Sequence, residues 1–180
     1  MKRVLSKALL MSMFLVLAAG NAASEGEKTL DLTAVLRTSY SLGGDTAAVK
    51  GTEEAIYLAQ GDTNKALTAL KNILIEHKPP PRALNDNEEV DIIIFRGVLT
   101  TLGKIELTKV VSKDNSFEVY AKYLDITGLN TPSQPAVIIP VGKLPIGKYS
   151  AVLYVAGELR KKAEFTVRRT PFCIDLRGKP

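Results

Sequence analysis

Near its C-terminal end the chain reads GKYSAVLYVAGELRKKAEFTVRR, Gly147 to Arg169, and this stretch constrains the fold more than any other. Two alternating runs flank Ala156-Gly157, the pattern of two antiparallel strands joined by a tight turn. In the second run Leu159, Ala163, Phe165 and Val167 fall on one side, with Lys161 as the exception. Arg160, Lys162, Glu164, Thr166 and Arg168 take the other side. In the first run Tyr149, Ala151, Leu153 and Val155 share a side, yet Val152 and Tyr154 opposite them are apolar too. The first strand is therefore expected to be covered on both faces and the second on one. A strand so charged belongs at or next to a sheet edge, where lysines discourage pairing with other chains.

Further strand patterns precede this hairpin. Val90 to Phe95 contains IIIF, apolar on both faces, and belongs in the middle of a sheet. Ile105 and Leu107 alternate with Glu106 and Thr108, Asp114-Asn115 makes a turn, and Phe117, Val119, Ala121 and Tyr123 alternate with polar neighbours. Ala136 to Ile139 reads as a short strand between a loop, Thr127 to Pro135, and a Pro- and Gly-rich connection, Pro140 to Gly147. Upstream, Leu30, Leu32, Ala34 and Leu36 suggest a first strand, and Ala47 to Lys50 a short second one.

One segment has helical character. Thr52 to Glu76 is split by Gly61-Asp62, and Asp62 is suited to cap a helix starting just after it. Ala66, Leu67, Leu70, Ile73 and Leu74 then fall on one helical face, and Pro79 to Pro81 stop the helix soon after His77. Such a face is expected to lie on the protein's own sheet, with a partner's groove as the alternative. Arg82 to Glu89 reads as a solvated loop; NDNEEVD, Asn85 to Asp91, lacks the glycine and ligand spacing of a calcium loop. The fold class expected is α+β: an antiparallel β-rich sheet or sandwich, an amphipathic helix packed on it, and a closing β-hairpin.

The N-terminus points to export. Lys2, Arg3 and Lys7 precede an apolar run, Ala8 to Ala19, and then small residues, the order of a secretory signal peptide cleaved near Ala22 or Ala23. The run falls short of the ~20 apolar residues of a comfortable membrane span, so no integral span is expected after cleavage. An uncleaved anchor is the alternative. The expected division is a signal at 1–23, a disordered stretch at 24–29, a single domain at 30–169 and a tail at 170–180. The full chain carries a net charge of +5, and loss of Lys2, Arg3 and Lys7 leaves about +2. Nucleic acid is not an expected partner, because phosphate binding needs clustered cations on one face.

Residues able to carry chemistry are scarce. His77 is the only histidine and stands at a helix end; Cys173 is the only cysteine, so no internal disulfide can form. A burial site between Phe172 and Ile174 is expected for that thiol, with an intermolecular bridge as the alternative. A catalytic triad needs an oriented base beside its nucleophile, and a zinc site needs three or four ligands in spaced pairs. Neither pattern occurs, and with no tryptophan the usual stacking surface of a sugar-binding module is missing too. No catalytic residue, metal or cofactor is expected.

From Val90 onward three stretches resemble the bacterial PrcB-like family, named for a subunit that accompanies a secreted subtilisin-type protease. They are VDIIIFRG, GVLTTLGKIEL and NTPSQPAVIIPVGKLP. Gly97, Thr101 and Gly103 fall on the family's turn pattern, while Leu102 replaces a glycine, Lys104 replaces a tyrosine, and Gln134 matches the later loop. The resemblance spans about residues 38 to 156. It implies an α+β fold without catalysis that binds or stabilises another exported protein, a protease in particular. The expected contact surface is the pair of loops Gly97–Gly103 and Thr127–Pro135, with Leu99, Thr101, Leu102, Lys104, Leu129 and Gln134 as candidate contacts, because loops on a rigid sheet carry recognition. Leu99, Leu102 and Leu129 are either such contacts or plugs of a small core. An Ig-like structural or adhesion module of the cell envelope is the alternative function.

Overall fold

The computed structural model describes residues 27–40, 53–76, 78, 81, 83–126 and 132–170. The signal segment expected at 1–23, the strand expected at Ala47 to Lys50, His77, Leu129 and Cys173 lie outside the described residues. The elements are β1 (Glu27–Thr29), a 3-10 turn (Leu32–Ala34), β2 (Leu36–Tyr40), β3 (Ala55–Gln60), α1 (Thr63–Glu76), β4 (Ala83–Asn85), β5 (Glu89–Phe95), β6 (Leu102–Lys113), β7 (Ser116–Ile126), β8 (Gln134–Lys143), β9 (Gly147–Val155) and β10 (Glu158–Arg168). A six-stranded sheet runs β1-β6-β7-β9-β10-β4 and a four-stranded one β2-β8-β5-β3. The architecture is α+β: two sheets enclose a core, and the helix covers the outer face of the smaller sheet.

Strand alternation decides which residues meet in each layer. Ile92 and Ile94 of β5 and Val137 and Ile139 of β8 face the larger sheet, meeting Ile105, Leu107, Val119, Leu153, Phe165 and Val167. Their neighbours Ile93, Phe95, Ala136 and Ile138 point the other way, onto Ala66, Leu70 and Leu74 of α1. IIIF is thus buried on both faces because two different layers cover it. The helix starts as expected: the Asp62 carboxylate accepts the Lys65 N–H at 2.9 Å.

Several boundaries differ from the sequence expectation. Leu30 to Leu36 is not one strand. Asp31 accepts the Thr33 N–H and the Thr33 hydroxyl, both at 2.9 Å, and these local bonds hold a 3-10 turn in place of a ladder. The chain changes sheets there, and Glu27–Thr29, expected to be disordered, pairs with Lys113–Val111. Ala55–Gln60, expected to be helical, is the strand beside β5, where Leu58 joins the core and Ala59 the helix layer. Within the expected loop at 82–89, Ala83–Asn85 pairs in parallel with Thr166–Arg168 and buries Leu84.

The loop at Thr127 to Pro135 ends earlier than expected, since β8 begins at Gln134. β8 also continues past Ile139, through Pro140, to Lys143. Pro140 is accommodated opposite Asp91, where the ladder shifts register between Val90 and Asp91.

The hairpin forms with Ala156 and Gly157 at its tip, both at positive φ (52° and 88°), as a two-residue turn of this twist requires. β10 is next to the edge, with β4 pairing only its last three residues. Two details depart from expectation. Leu159 is 63% exposed, because the register shift between Leu159 and Lys161 takes it out of the buried row. β9 is not covered on both faces: Val152 and Tyr154 are half-buried, and Tyr154 stacks on Tyr120 at 4.9 Å.

Candidate functional site

The corner beyond the end of β5 gathers most of the residues singled out from sequence. Leu99 and Ser133 form an isolated antiparallel bridge, with N–H to carbonyl bonds of 2.9 and 3.0 Å in the two directions. The Ser133 hydroxyl accepts the Gly103 N–H at 2.9 Å and donates to the Thr101 carbonyl at 2.8 Å. One buried serine therefore ties the Gly97–Gly103 connection to the chain entering β8. Gly103 has no room for a side chain: a Cβ would stand 2.2 Å from Leu99 Cδ1 and 2.8 Å from Arg96 Nη1.

The candidates do not all share one surface. Leu99 is half-buried against Gly103 and acts in part as a plug. Thr101 contributes its carbonyl to Ser133. Leu102 and Lys104 lie on the outer face of the larger sheet, opposite Ile126 and Leu124. With Leu124 44% exposed and Leu102 and Ile126 half-buried, they make an apolar patch with one lysine. Gln134 is drawn away from that patch. It is buried, its Oε1 has no hydrogen-bond partner, and alternation sends it to the side of β8 opposite Ser133.

Sequence reasoning missed the charged residues that seal this corner. Arg96 follows IIIF directly, and its side chain is only 10% exposed. The guanidinium donates to the Leu124 carbonyl at 3.0 Å, pairs with Asp125 at 2.8 Å and lies 4.6 Å from the centre of the Tyr123 ring. Glu54, itself 12% exposed, pairs with Arg160 at 3.3 Å. Tyr123 Oη and Glu54 Oε1 are buried without a hydrogen-bond partner. Burial, reinforced by the Glu54 carboxylate, pushes the Tyr123 phenol well above its ordinary range. A cation immediately after a doubly buried strand was the available signal: so placed, it must find partners at the end of the core.

Chemically, the corner offers a rigid backbone knot, a paired arginine and an apolar rim. Among the described residues no group of three or more His, Cys, Asp or Glu is arranged to hold a metal ion, and no helix is long and apolar enough to cross a membrane. A groove of about 780 Å³ lies elsewhere, beside the β6–β7 turn, lined by Ser116, Lys148, Ser150 and Glu164 among others. It is open and of mixed charge, and none of the sequence-selected residues lines it. Comparison with protein-family models, curated proteins and solved structures finds no match to this chain.

Proposed function

We propose that this chain is a non-catalytic exported binding protein that grips another exported protein, a protease being the partner class suggested by the PrcB-like resemblance. The observation that carries this reading is the Ser133 knot. By joining Leu99, Thr101 and Gly103 to the start of β8, it turns two connections into one preorganised platform. A surface that is already ordered loses less freedom on association. The rim beside it, Leu102, Leu124 and Ile126 with Lys104, combines apolar area with a single charge, the composition of a docking patch of modest size. The charge along β10 counts against the envelope-module alternative, which would use that strand as an open pairing edge.

The test is retention of exported proteins on the immobilised domain, comparing the native chain with a Leu102→Asp, Leu124→Asp double variant. Both side chains face outward, so the variant keeps its core. The native chain should retain a protease from the exported fraction, and the double variant should lose it by at least about tenfold, the equivalent of 1.4 kcal/mol. Equal retention by the two, or none by the native chain, overturns the reading.

A further inference from the structure

Asp91 is the anomaly of the smaller sheet. It is 2% exposed, and its Oδ2 has no hydrogen-bond partner. It shares a face of β5 with Ile93 and Phe95, the face on which α1 lies. Its ladder neighbours are Ala59 on one side and Pro140 on the other. Ala59 presents only a methyl group, and Pro140 has no N–H to donate. A carboxyl group has been closed in between a methyl group and a proline ring.

Among the described residues, the charges around it do not compensate. Glu89, on its own strand, and Asp62, the cap of α1, are both acidic and act on it in the same direction. The inward residues of α1 are Ala66, Leu70, Ile73 and Leu74, all apolar, while Lys65, Lys71 and Glu76 are exposed. On β3 the same face carries Tyr57 and Ala59, and on β8 Gln134, Ala136, Ile138 and Pro140, none of them charged near neutral pH. Lys143, opposite Glu89 in the ladder, is exposed.

We propose that Asp91 is a proton-operated latch for helix α1. With a proton on Asp91 the helix closes over a neutral floor. With the proton gone, the buried charge repels the helix cap at Asp62 and draws water beneath the helix, loosening its hold on Ile93, Phe95, Ala136 and Ile138. Burial, with Glu89 and then Asp62 adding to it, raises the Asp91 carboxyl to about 6 from its ordinary 3.8. A carboxyl group raised on folding stabilises the fold fully below its unfolded value and loses that contribution as pH rises through the folded one. The helix should therefore grip near pH 4 and yield between about pH 5 and 7.

Hydrogen exchange, corrected for the intrinsic pH dependence of amide exchange, tests the latch. Between about pH 5 and pH 7.5, protection of the Ala66–Leu74 amides should fall at least about tenfold relative to the β7 amides. In Asp91→Asn the ratio should stay constant. In Glu89→Gln, which keeps the latch and removes one neighbouring acid, the midpoint should move to lower pH. Helix protection that tracks β7 at every pH overturns the proposal, as does an Asp91→Asn variant that loses protection in step with the native chain. If Asp91→Asn does not fold, an unmoved midpoint in Glu89→Gln overturns it.

Discussion

Asp91 and Arg96 stand a few residues apart, one within β5 and the other just beyond it, and each has carried a charge out of water. Arg96 points between the two sheets at the open end of the core, where the Leu124 carbonyl, the Asp125 carboxylate and the Tyr123 ring all meet its guanidinium. Asp91 points to the other face of the strand, toward the helix, where a methyl group and a proline flank it and Oδ2 finds no donor. A buried charge is tolerated when polar groups meet it, and it is a liability when none does. Two faces of one strand thus contain both outcomes, and what separates them is the supply of polar groups in the adjoining layer.

The largest effect expected from this contrast comes from neutralising Asp91. Its folded value, about 6, lies above the unfolded 3.8, so ionisation destabilises the fold at neutral pH by up to about 3 kcal/mol, and by less to the extent that water screens the charge. Asp91→Asn should be more stable than the native chain by up to about that amount near pH 7.5, with the advantage gone below about pH 4. Denaturant unfolding of both proteins across this range measures it, and the difference between them is the quantity to read. Asp31, Asp86 and Glu164 shift in the opposite direction, held low chiefly by hydrogen bonds from Thr33, Thr170 and Lys162, and their contributions cancel in that difference. A variant less stable than the native chain at pH 7.5 would break the contrast.

The second test inverts the first. Arg96→Met keeps the bulk and removes the charge, leaving the Leu124 carbonyl without its donor and the Tyr123 ring without its cation. A loss of about 2 kcal/mol is expected, flat between about pH 5 and pH 8, because arginine does not titrate there. A neutral or stabilising outcome would mean that burial of Arg96 costs as much as its partners return, and the two sites would then be alike.

The smallest effect sharpens the picture. Glu54 is nearly as buried as Arg96, and the ion-pair partners of both, Arg160 and Asp125, are about half exposed, but Arg96 also has the Leu124 carbonyl and the Tyr123 ring. Glu54→Gln should cost less than about 0.5 kcal/mol, the range of a solvent-screened pair. A cost several times larger in the same unfolding assay would show that Glu54 belongs with Arg96 as an interior charge and not with the surface pairs.

Much of the sheet was legible from residue order, because alternation depends only on which side chains avoid water. The hairpin from Gly147, the Asp114-Asn115 turn, the central position of IIIF and the buried stripe of α1 all follow from it. The short pairings were not legible. Glu27–Thr29 and Ala83–Asn85 are three-residue strands whose hydrogen bonds go to segments distant in the chain, and nothing local announces them. Ala55–Gln60 carries an apolar pattern too short to separate strand from helix, and the ladder with β5 decided it. In the candidate site, Thr101 and Gly103 were marked by the turn pattern of the resemblance, and Leu99 by being apolar at a loop position. Ser133, which binds them together, looked like any loop serine until the fold brought it to the Gly103 N–H. Gln134 is placed by the complementary rule, since its neighbour Ser133 faces the corner and alternation turns the buried Gln134 away.

Residue order by itself determined that this chain builds amphipathic strands and one amphipathic helix, since the hydrophobic effect acts on each segment through its own periodicity. Only the tertiary structure decided which charges would be stranded and which satisfied. Desolvation depends on the layer that closes over a residue, and that layer is contributed by parts of the chain far away in sequence. Asp91 and Arg96 differ for that reason alone.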